Sequence, residues 1–328
     1  MSKMIKRGIA MFLLLFLVSI GIIYYTIDIE ALKTISTFNE ESLLLSVVAL
    51  TLGMYFDGLR LQRLVKIGGY HLSIKAVLRV IFSNYFMAML TPGASGGAVA
   101  QVLVLKSYGI PLGKGTPIVL IRTVFSIMFL VIMLPLVFMY DNIEIPYISR
   151  DMLLILSFLA VIATLLGTYL LQTKYMRQFV YTLAHRFKAH KTKDWLAKLE
   201  TLNQGLGLLY KKPMQSLIVF IESGLSLICL YGIAPALMFA FTTDVPIIQV
   251  LDRMILLNLI LYFAPTPGGA GIAEGLFVVL FAPYVPSGTV GIIAVAWRVM
   301  AEYIPFFIGM YGTLTLYGRQ FVARKTSN

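Results

Sequence analysis

The hydrophobic positions of this chain form long continuous runs, unlike the short alternating patterns of a soluble protein. Six runs contain about 20 residues or more, which is enough for a helix to cross the hydrocarbon core of a bilayer. They cover Gly8–Ile27, Ser42–Val65, Thr116–Met139, Met152–Leu171, Ser216–Phe241 and Thr289–Tyr317. Only helices and closed barrels satisfy their backbone hydrogen bonds in lipid, so the pattern predicts an all-α polytopic membrane protein with six full crossings.

Two further apolar segments are interrupted by similar stretches, Thr91–Ala98 and Thr266–Glu274. Proline removes a backbone donor and glycine weakens a helix, so both stretches predict a helix break. The limbs on either side are too short to span, which predicts two re-entrant helical hairpins. Broken backbone at membrane depth must be buried in protein or line a cavity. The residues expected to line that cavity are Pro92, Gly93, Gly96, Gly97, Pro267, Gly268, Gly269 and Gly271.

The two breaks occupy matching frames, which indicates an internal repeat. Asn84 precedes Pro92 by eight residues, and Asn258 precedes Pro267 by nine. The arginines Arg122 and Arg298 follow their prolines by thirty and thirty-one residues. In the predicted topology the two units have opposite orientation, as in the inverted repeats of many secondary transporters. The chain is then one membrane domain, with a first helix and outer loop (1–41), repeat 1 (42–139), a linking helix and basic cytoplasmic loop (140–215), repeat 2 (216–317) and a basic tail (318–328).

Composition and charge agree with this assignment. The chain of 328 residues is 59% hydrophobic and 13% charged, with a formal net charge of +12. The positive residues lie between apolar runs as the positive-inside rule expects, so they do not indicate nucleic-acid binding. The same rule places both termini in the cytoplasm. The expected location of the protein is the bacterial inner membrane. The basic segment 172–216 suits either a helix lying on the anionic inner leaflet or a solvated loop.

Charged side chains inside predicted spans are the candidate substrate-binding residues, because such groups are costly in lipid and need a partner or water. They are Arg122, Glu222, Glu274, Arg298 and Glu302. Arg122 has no acidic residue on its own helix. It is the best candidate for a lipid phosphate, with a long-range salt bridge to Glu222 or Glu274 as the alternative.

Each of the other candidates has a structural alternative. Glu274 is expected either to contact substrate or to cap the half-helix that it begins. Arg298 and Glu302 are four residues apart on one helix face, so they are expected to pair, with or without a role in binding. Asn84 and Asn258 are also candidate substrate-binding residues, with a hydrogen bond to carbonyls of the breaks as the structural alternative. Asp57 and Arg60 indicate a structural pair at the inner end of their helix.

The segments Pro267–Glu274, Thr91–Gly97, Ile121–Arg122 and Trp297–Arg298 resemble the lysylphosphatidylglycerol synthase transmembrane-region family over essentially the whole chain. That family is similar to the flippase half of the bifunctional multiple-peptide-resistance proteins, which implies movement of polar lipids between leaflets. Many relatives carry charged residues where this chain has Ala98 and Gln101. The relatives' soluble aminoacyl-transferase domain is also not present before the end at Asn328, so we expect a standalone member without that enzymatic activity.

Three functions remain open from the sequence. The first is a flippase or transporter of polar lipids, such as an anionic or zwitterionic phospholipid or aminoacylated phosphatidylglycerol. The second is a membrane-embedded lipid transferase of the phosphatidylglycerol lysyltransferase type, and the third is an accessory subunit that docks a partner. We expect no cofactor and no metal, since the three histidines lack ligand spacing. A homo-oligomer is compatible with the sequence. With no nucleotide-binding domain, transport is expected to be ion-coupled or downhill.

Overall fold

A computed structural model describes residues 38–141 except 92 and 94, 149–170, 212–326, and isolated positions between 178 and 207. The predicted first helix, Pro92 and most of the basic loop lie outside the described residues. The helices, numbered along the described chain, are α1 Glu40–Ile67, α2 Ile74–Leu90, α3 Ser95–Ser107, α4 Leu112–Tyr140, α5 Arg150–Leu170, α6 Pro213–Tyr231, α7 Ile233–Met238, α8 Ile247–Tyr262, α9 Ile272–Phe281, α10 Val290–Arg298 and α11 Ile304–Thr326.

Five apolar helical stretches in the described part of the chain are long enough to cross a membrane. They are Glu40–Ile67, Leu112–Tyr140, Arg150–Gly167, Pro213–Met238 and Val290–Leu316. Each coincides with a predicted crossing, so the integral-membrane assignment is confirmed. Two of them are less regular than predicted. The fourth is divided at Gly232 into α6 and α7, and the fifth contains a π-helical segment, Val299–Tyr303, between α10 and α11.

Both predicted helix breaks are present. The first break separates α2 from α3, and Gly93 within it has a φ of +62°. In the second break, between α8 and α9, Gly268, Gly269 and Gly271 have φ values of +58°, +69° and +80°. Left-handed backbone of this kind favours glycine, which explains why glycines interrupt the apolar sequence there. The four limbs contain 17, 13, 16 and 10 residues, all shorter than a full crossing.

The helices pack in pairs that join the two halves of the chain. α1 packs along α6, α2 packs on α11, and α8 packs on α4. Small residues permit the closest approaches: Gly53 of α1 faces Leu230 of α6, and the backbone of α11 at Gly309 lies directly against the Phe82 carbonyl of α2. Helix association in lipid depends on such van der Waals contact. Each hairpin is therefore held by a long helix from the other half of the chain.

Candidate functional site

The two helix breaks lie against each other. A Cβ atom placed on Gly268 would lie 3.4 Å from the Cα atom of Met89, at the end of α2. A Cβ atom placed on Gly93 would lie 3.9 Å from the carbonyl oxygen of Ala264, at the end of α8. Segments separated by more than 150 residues in the sequence therefore form one region of irregular backbone. Two clusters of charged side chains adjoin it.

The first group, which we call the arginine cluster, consists of Asp57, Arg60, Arg122, Gln101 and Ser126. Asp57 accepts from Arg60 Nε at 2.5 Å and from Arg122 Nε at 3.1 Å, and Arg122 Nη2 donates to its second oxygen. Arg60 Nη1 donates to the Ser126 hydroxyl at 2.8 Å, and Arg122 Nη1 donates to the Gln101 amide oxygen. The cluster joins α1, α3 and α4.

The arginine cluster has an excess of positive charge. The side chains of Asp57, Arg60 and Arg122 are only 3%, 7% and 8% exposed, yet two guanidinium groups share a single carboxylate. Among the described residues, no hydrogen bond uses Nη2 of Arg60. Burial of a charge without a full counter-charge is costly, so the cluster is suited to attract an anion.

The arginine cluster continues into the first hairpin. Gln101 Nε2 donates to Asn84 Oδ1 at 2.7 Å, which links α3 to α2 across the break. The same Asn84 oxygen lies directly against Gly97, where a side chain would displace it. Gly97 is therefore required for close approach of the two limbs, and the position of Arg122 is tied to the shape of the hairpin.

The second group, which we call the glutamate cluster, consists of Glu274, Arg298 and Glu302. Arg298 Nε donates to Glu274 Oε1 at 2.9 Å, its Nη2 donates to the Gly268 carbonyl at 3.0 Å, and its Nη1 forms an ion pair with Glu302 at 2.5 Å. The other Glu274 oxygen accepts from the Gly271 N–H at 2.7 Å and caps α9. Two carboxylates around one guanidinium give this cluster an excess of negative charge.

Tyr85 of α2 lies between the two clusters. It is close enough to interact electrostatically with Asp57, Arg60 and Arg122 on one side and with Glu302 on the other. Tyr85 is only partly buried, and the Glu302 side chain keeps 21% of its surface exposed. Both of the oppositely charged clusters therefore adjoin Tyr85.

Several expected pairings are confirmed. Arg298 binds Glu302, as the spacing of four residues predicted, and Glu274 caps its own half-helix. Asp57 and Arg60 also form a pair, although the pair is part of the buried arginine cluster.

Other expected pairings are wrong. The acidic partner of Arg122 is Asp57, and neither Glu222 nor Glu274 fills that role. Glu222 instead binds Arg63 at 2.6 Å. Asn258 donates to the Met254 carbonyl of its own helix at 2.9 Å rather than to a carbonyl of the break. The Asn84 side chain accepts a hydrogen bond from the Gln101 side chain, where a bond to a carbonyl of the first break was expected.

Each hairpin also has a matched contact at its open end, which was not predicted from the sequence. In the first hairpin, Arg79 Nη1 donates to the Tyr108 hydroxyl at 2.6 Å. In the second, the Arg253 guanidinium lies over the Tyr284 ring, 4.5 Å from its centroid. Each contact joins the first limb to the end of the second. We call them the Arg–Tyr clamps.

The clamps differ in how strongly the arginine is held. Arg253 also donates to Asp141 of α4 at 2.7 Å and to the Leu280 carbonyl at 2.7 Å. The repeat offers a signal for both clamps: each arginine lies five residues before the matched asparagine, Asn84 or Asn258.

Within the described ranges, no cluster of three His, Cys, Asp or Glu side chains suits a metal ion.

Known proteins resemble this chain over most of its length. The lysylphosphatidylglycerol synthase TM region family matches residues 8–309. A protein described as a UPF0104 membrane protein, from Archaeoglobus fulgidus, is 21% identical over 291 residues. That alignment covers 85% of this chain and 89% of the relative.

Proposed function

Because the chain belongs to the lysylphosphatidylglycerol synthase transmembrane-region family, we propose that it moves polar lipids between the two leaflets of the membrane. The observation that carries this proposal is the meeting of the two helix breaks beside two buried charged clusters. Irregular backbone and ionised groups are tolerated at membrane depth where they serve a polar pathway. The family description, which names a synthase of a charged lipid, supports a lipid as the molecule that uses the pathway.

The proposed arrangement has six crossings and two hairpins that enter from opposite leaflets. The helix contacts support an inverted repeat, since exchanging the two halves converts the α2–α11 contact into the α8–α4 contact. Broken helices at corresponding positions of two repeats are typical of the binding site in secondary transporters. In this arrangement the breaks lie near the middle of the bilayer.

In the proposed mechanism the head group crosses between the breaks while the acyl chains stay in lipid. Arg60 and Arg122 attract the phosphate, because a guanidinium presents several donors to phosphate oxygens. The starts of α3 and α9 add the partial positive charge of a helix N-terminus. Relative movement of the two repeats would expose the polar region to one leaflet and then to the other.

A reconstitution assay tests this proposal. Proteoliposomes containing a fluorescent phospholipid are treated with a membrane-impermeant quencher, and the rate at which inner-leaflet lipid becomes quenched is measured. We expect the wild-type protein to accelerate this rate over protein-free vesicles, and Arg122→Gln and Glu274→Gln to slow it. Lys66→Gln is the matched control, because this lysine of α1 lies outside both clusters and is exposed.

The outcomes are distinct. No acceleration by the folded wild-type protein would contradict lipid movement. Acceleration that is unchanged in both cluster variants would contradict the site assignment alone. Formation of aminoacylated lipid from phosphatidylglycerol and aminoacyl-tRNA would instead support a membrane-embedded transferase.

A further inference from the structure

The two clusters together contain equal numbers of positive and negative groups. The arginine cluster has two guanidinium groups and one carboxylate, and the glutamate cluster has one guanidinium and two carboxylates. Without a ligand their opposite excess charges balance across Tyr85, which interacts with both. Excess charge is costly within a membrane, so this balance matters for stability. An anion bound at the arginine cluster would leave the pair of clusters with one uncompensated negative charge.

Of the two carboxylates in the glutamate cluster, Glu302 is the better placed to balance that negative charge by binding a proton. Glu274 is held by two donors, the Gly271 N–H at 2.7 Å and Arg298 Nε at 2.9 Å, and is 1% exposed. Glu302 forms one ion pair with the described part of the chain, the contact with Arg298 Nη1. Its side chain is 21% exposed. Glu302 also lies in the π-helical segment, an irregularity frequently found at functional sites.

The charged and titratable groups around Glu302 come from every side of the site. They are Arg298 of α10, Glu274 of α9, Tyr303 of the π segment and Tyr85 of α2, with Asp57 and Arg60 of α1 and Arg122 of α4 beyond Tyr85. α1, which carries Asp57 and Arg60, packs against the π segment that carries Glu302, so the two charged clusters are neighbours. A phosphate bound at the arginine cluster adds negative charge on that side, which favours the protonated form of a nearby carboxylate.

We propose that Glu302 binds a proton when the phosphate of a lipid binds at the arginine cluster, so that lipid and proton cross together. This inference rests on the proposed lipid transport. The proton comes from water and forms an O–H bond with a carboxylate oxygen of Glu302, and no other covalent bond changes. One negative charge arrives with a phosphodiester and one positive charge arrives with the proton, so the region stays neutral. By linkage, lipid binding favours protonation by the same factor by which protonation favours lipid binding.

Proton uptake on binding is the direct test. The purified protein in weakly buffered detergent solution is mixed with short-chain phosphatidylglycerol, and a pH-sensitive dye follows protons taken from solution while calorimetry follows binding. We expect uptake of about one proton for each lipid bound near neutral pH. Short-chain diacylglycerol, which lacks the phosphate, is expected to cause no uptake. Once the pH exceeds the pKa that Glu302 has in the lipid-free protein, the Kd for the lipid is expected to rise by up to about tenfold per pH unit.

Glu302→Gln separates this role from a structural one, because glutamine resembles the protonated carboxyl. The variant is expected to bind phosphatidylglycerol with a Kd that does not change with pH, and to take up no proton. Asp244→Asn, which removes an exposed carboxylate from the loop before α8, is the matched control and is expected to behave as wild type.

Failure of this inference can be distinguished from failure of the proposed function. Lipid binding and movement without proton uptake, or uptake that persists in Glu302→Gln, would overturn the proton role and leave lipid movement intact. Absence of both lipid binding and lipid movement in the folded wild-type protein would overturn both proposals.

Discussion

Arg122 of α4 binds both carboxylate oxygens of Asp57 of α1, through Nη2 to one and through Nε to the other at 3.1 Å. The two residues are separated by 65 positions in the sequence, and both are buried. A two-point contact fixes the orientation of the guanidinium as well as its position. The pair thus sets the angle at which the arginine cluster meets the first hairpin.

Removal of the carboxylate of this pair is expected to be strongly destabilising. Asp57→Asn leaves two buried guanidinium groups without a counter-charge, and a change that leaves a buried charge uncompensated costs about 3–5 kcal/mol. Arg122→Gln leaves Asp57 paired with Arg60 and is expected to cost less. The double variant Asp57→Asn with Arg122→Gln is expected to cost less than the sum of the two single changes, because one guanidinium rather than two is left without a carboxylate. The free energy of unfolding in mixed detergent and SDS micelles measures each value.

Lys66→Gln is the control for that series. This lysine of α1 is exposed and takes part in no ion pair with the described residues, so the change is expected to alter stability by less than about 0.5 kcal/mol. A cost for Asp57→Asn no larger than that of Lys66→Gln would show that the Arg122–Asp57 contact does not support the fold.

The first Arg–Tyr clamp is expected to hold the open end of its hairpin. Tyr108→Phe removes the hydroxyl that accepts from Arg79 Nη1 and leaves the ring in place. A lost hydrogen bond of about 1 kcal/mol would raise local opening roughly fivefold. Hydrogen exchange of the amides near the ends of α2 and α3 measures this opening. The corresponding change at the second hairpin, Tyr284→Phe, is the comparison.

The second hairpin is expected to respond less. Arg253 keeps its bonds to Asp141 and to the Leu280 carbonyl whichever side chain occupies position 284. Equal increases in exchange at the two hairpins would argue that the extra bonds of Arg253 do not stabilise the second clamp.

The close contact of α11 with α2 gives a prediction with a control on the same helix. A methyl group at Gly309 would collide with the Phe82 backbone, whereas a methyl group at Gly312 would lie 3.8 Å from Arg79 Cγ, an ordinary contact. Gly309→Ala is expected to destabilise by at least about 1–3 kcal/mol through overpacking. Gly312→Ala is expected to be neutral or stabilising by up to about 1 kcal/mol, because alanine favours a helix.

The free energies of unfolding of the two glycine variants, measured in mixed detergent and SDS micelles, test this prediction. A Gly309→Ala protein as stable as Gly312→Ala would show that the two helices can separate slightly without cost.

Arg298→Lys is expected to weaken the second break although the charge is kept. Arg298 reaches Glu274, Glu302 and the Gly268 carbonyl through three different nitrogens, and a single ammonium cannot reproduce that planar geometry. The expected loss is about 1–3 kcal/mol, since at least one buried acceptor is left without a donor. Limited proteolysis across the Gly268–Gly271 segment would detect the loosened backbone, and an unchanged cleavage rate would count against this role for Arg298.

Features that depend on neighbouring residues could be predicted from the sequence. The Pro-Gly breaks and the Arg298–Glu302 pair are local, because backbone conformation and a spacing of four residues determine them. Both breaks that follow Asn84 and Asn258 in the sequence are present.

Features that depend on how helices pack could not be predicted in the same way. The partner of Arg122 depends on the rotation of α1 against α4, and no spacing in the sequence encodes that rotation. Asp57 was therefore assigned only to Arg60, three residues away, although it also binds Arg122. The partner of Glu222 is likewise a residue 159 positions distant.

The packing of α2 on α11 has a consequence for biosynthesis. The first hairpin emerges from the ribosome early, but α11, the helix that covers it, is made after the other described helices, whereas α4 is already in place when α8 arrives. The second hairpin can therefore mature as soon as it is made, while the first must wait for α11. A chain truncated before Ile304 would leave the first hairpin without its cover, and such a product is a natural target for membrane quality-control proteases.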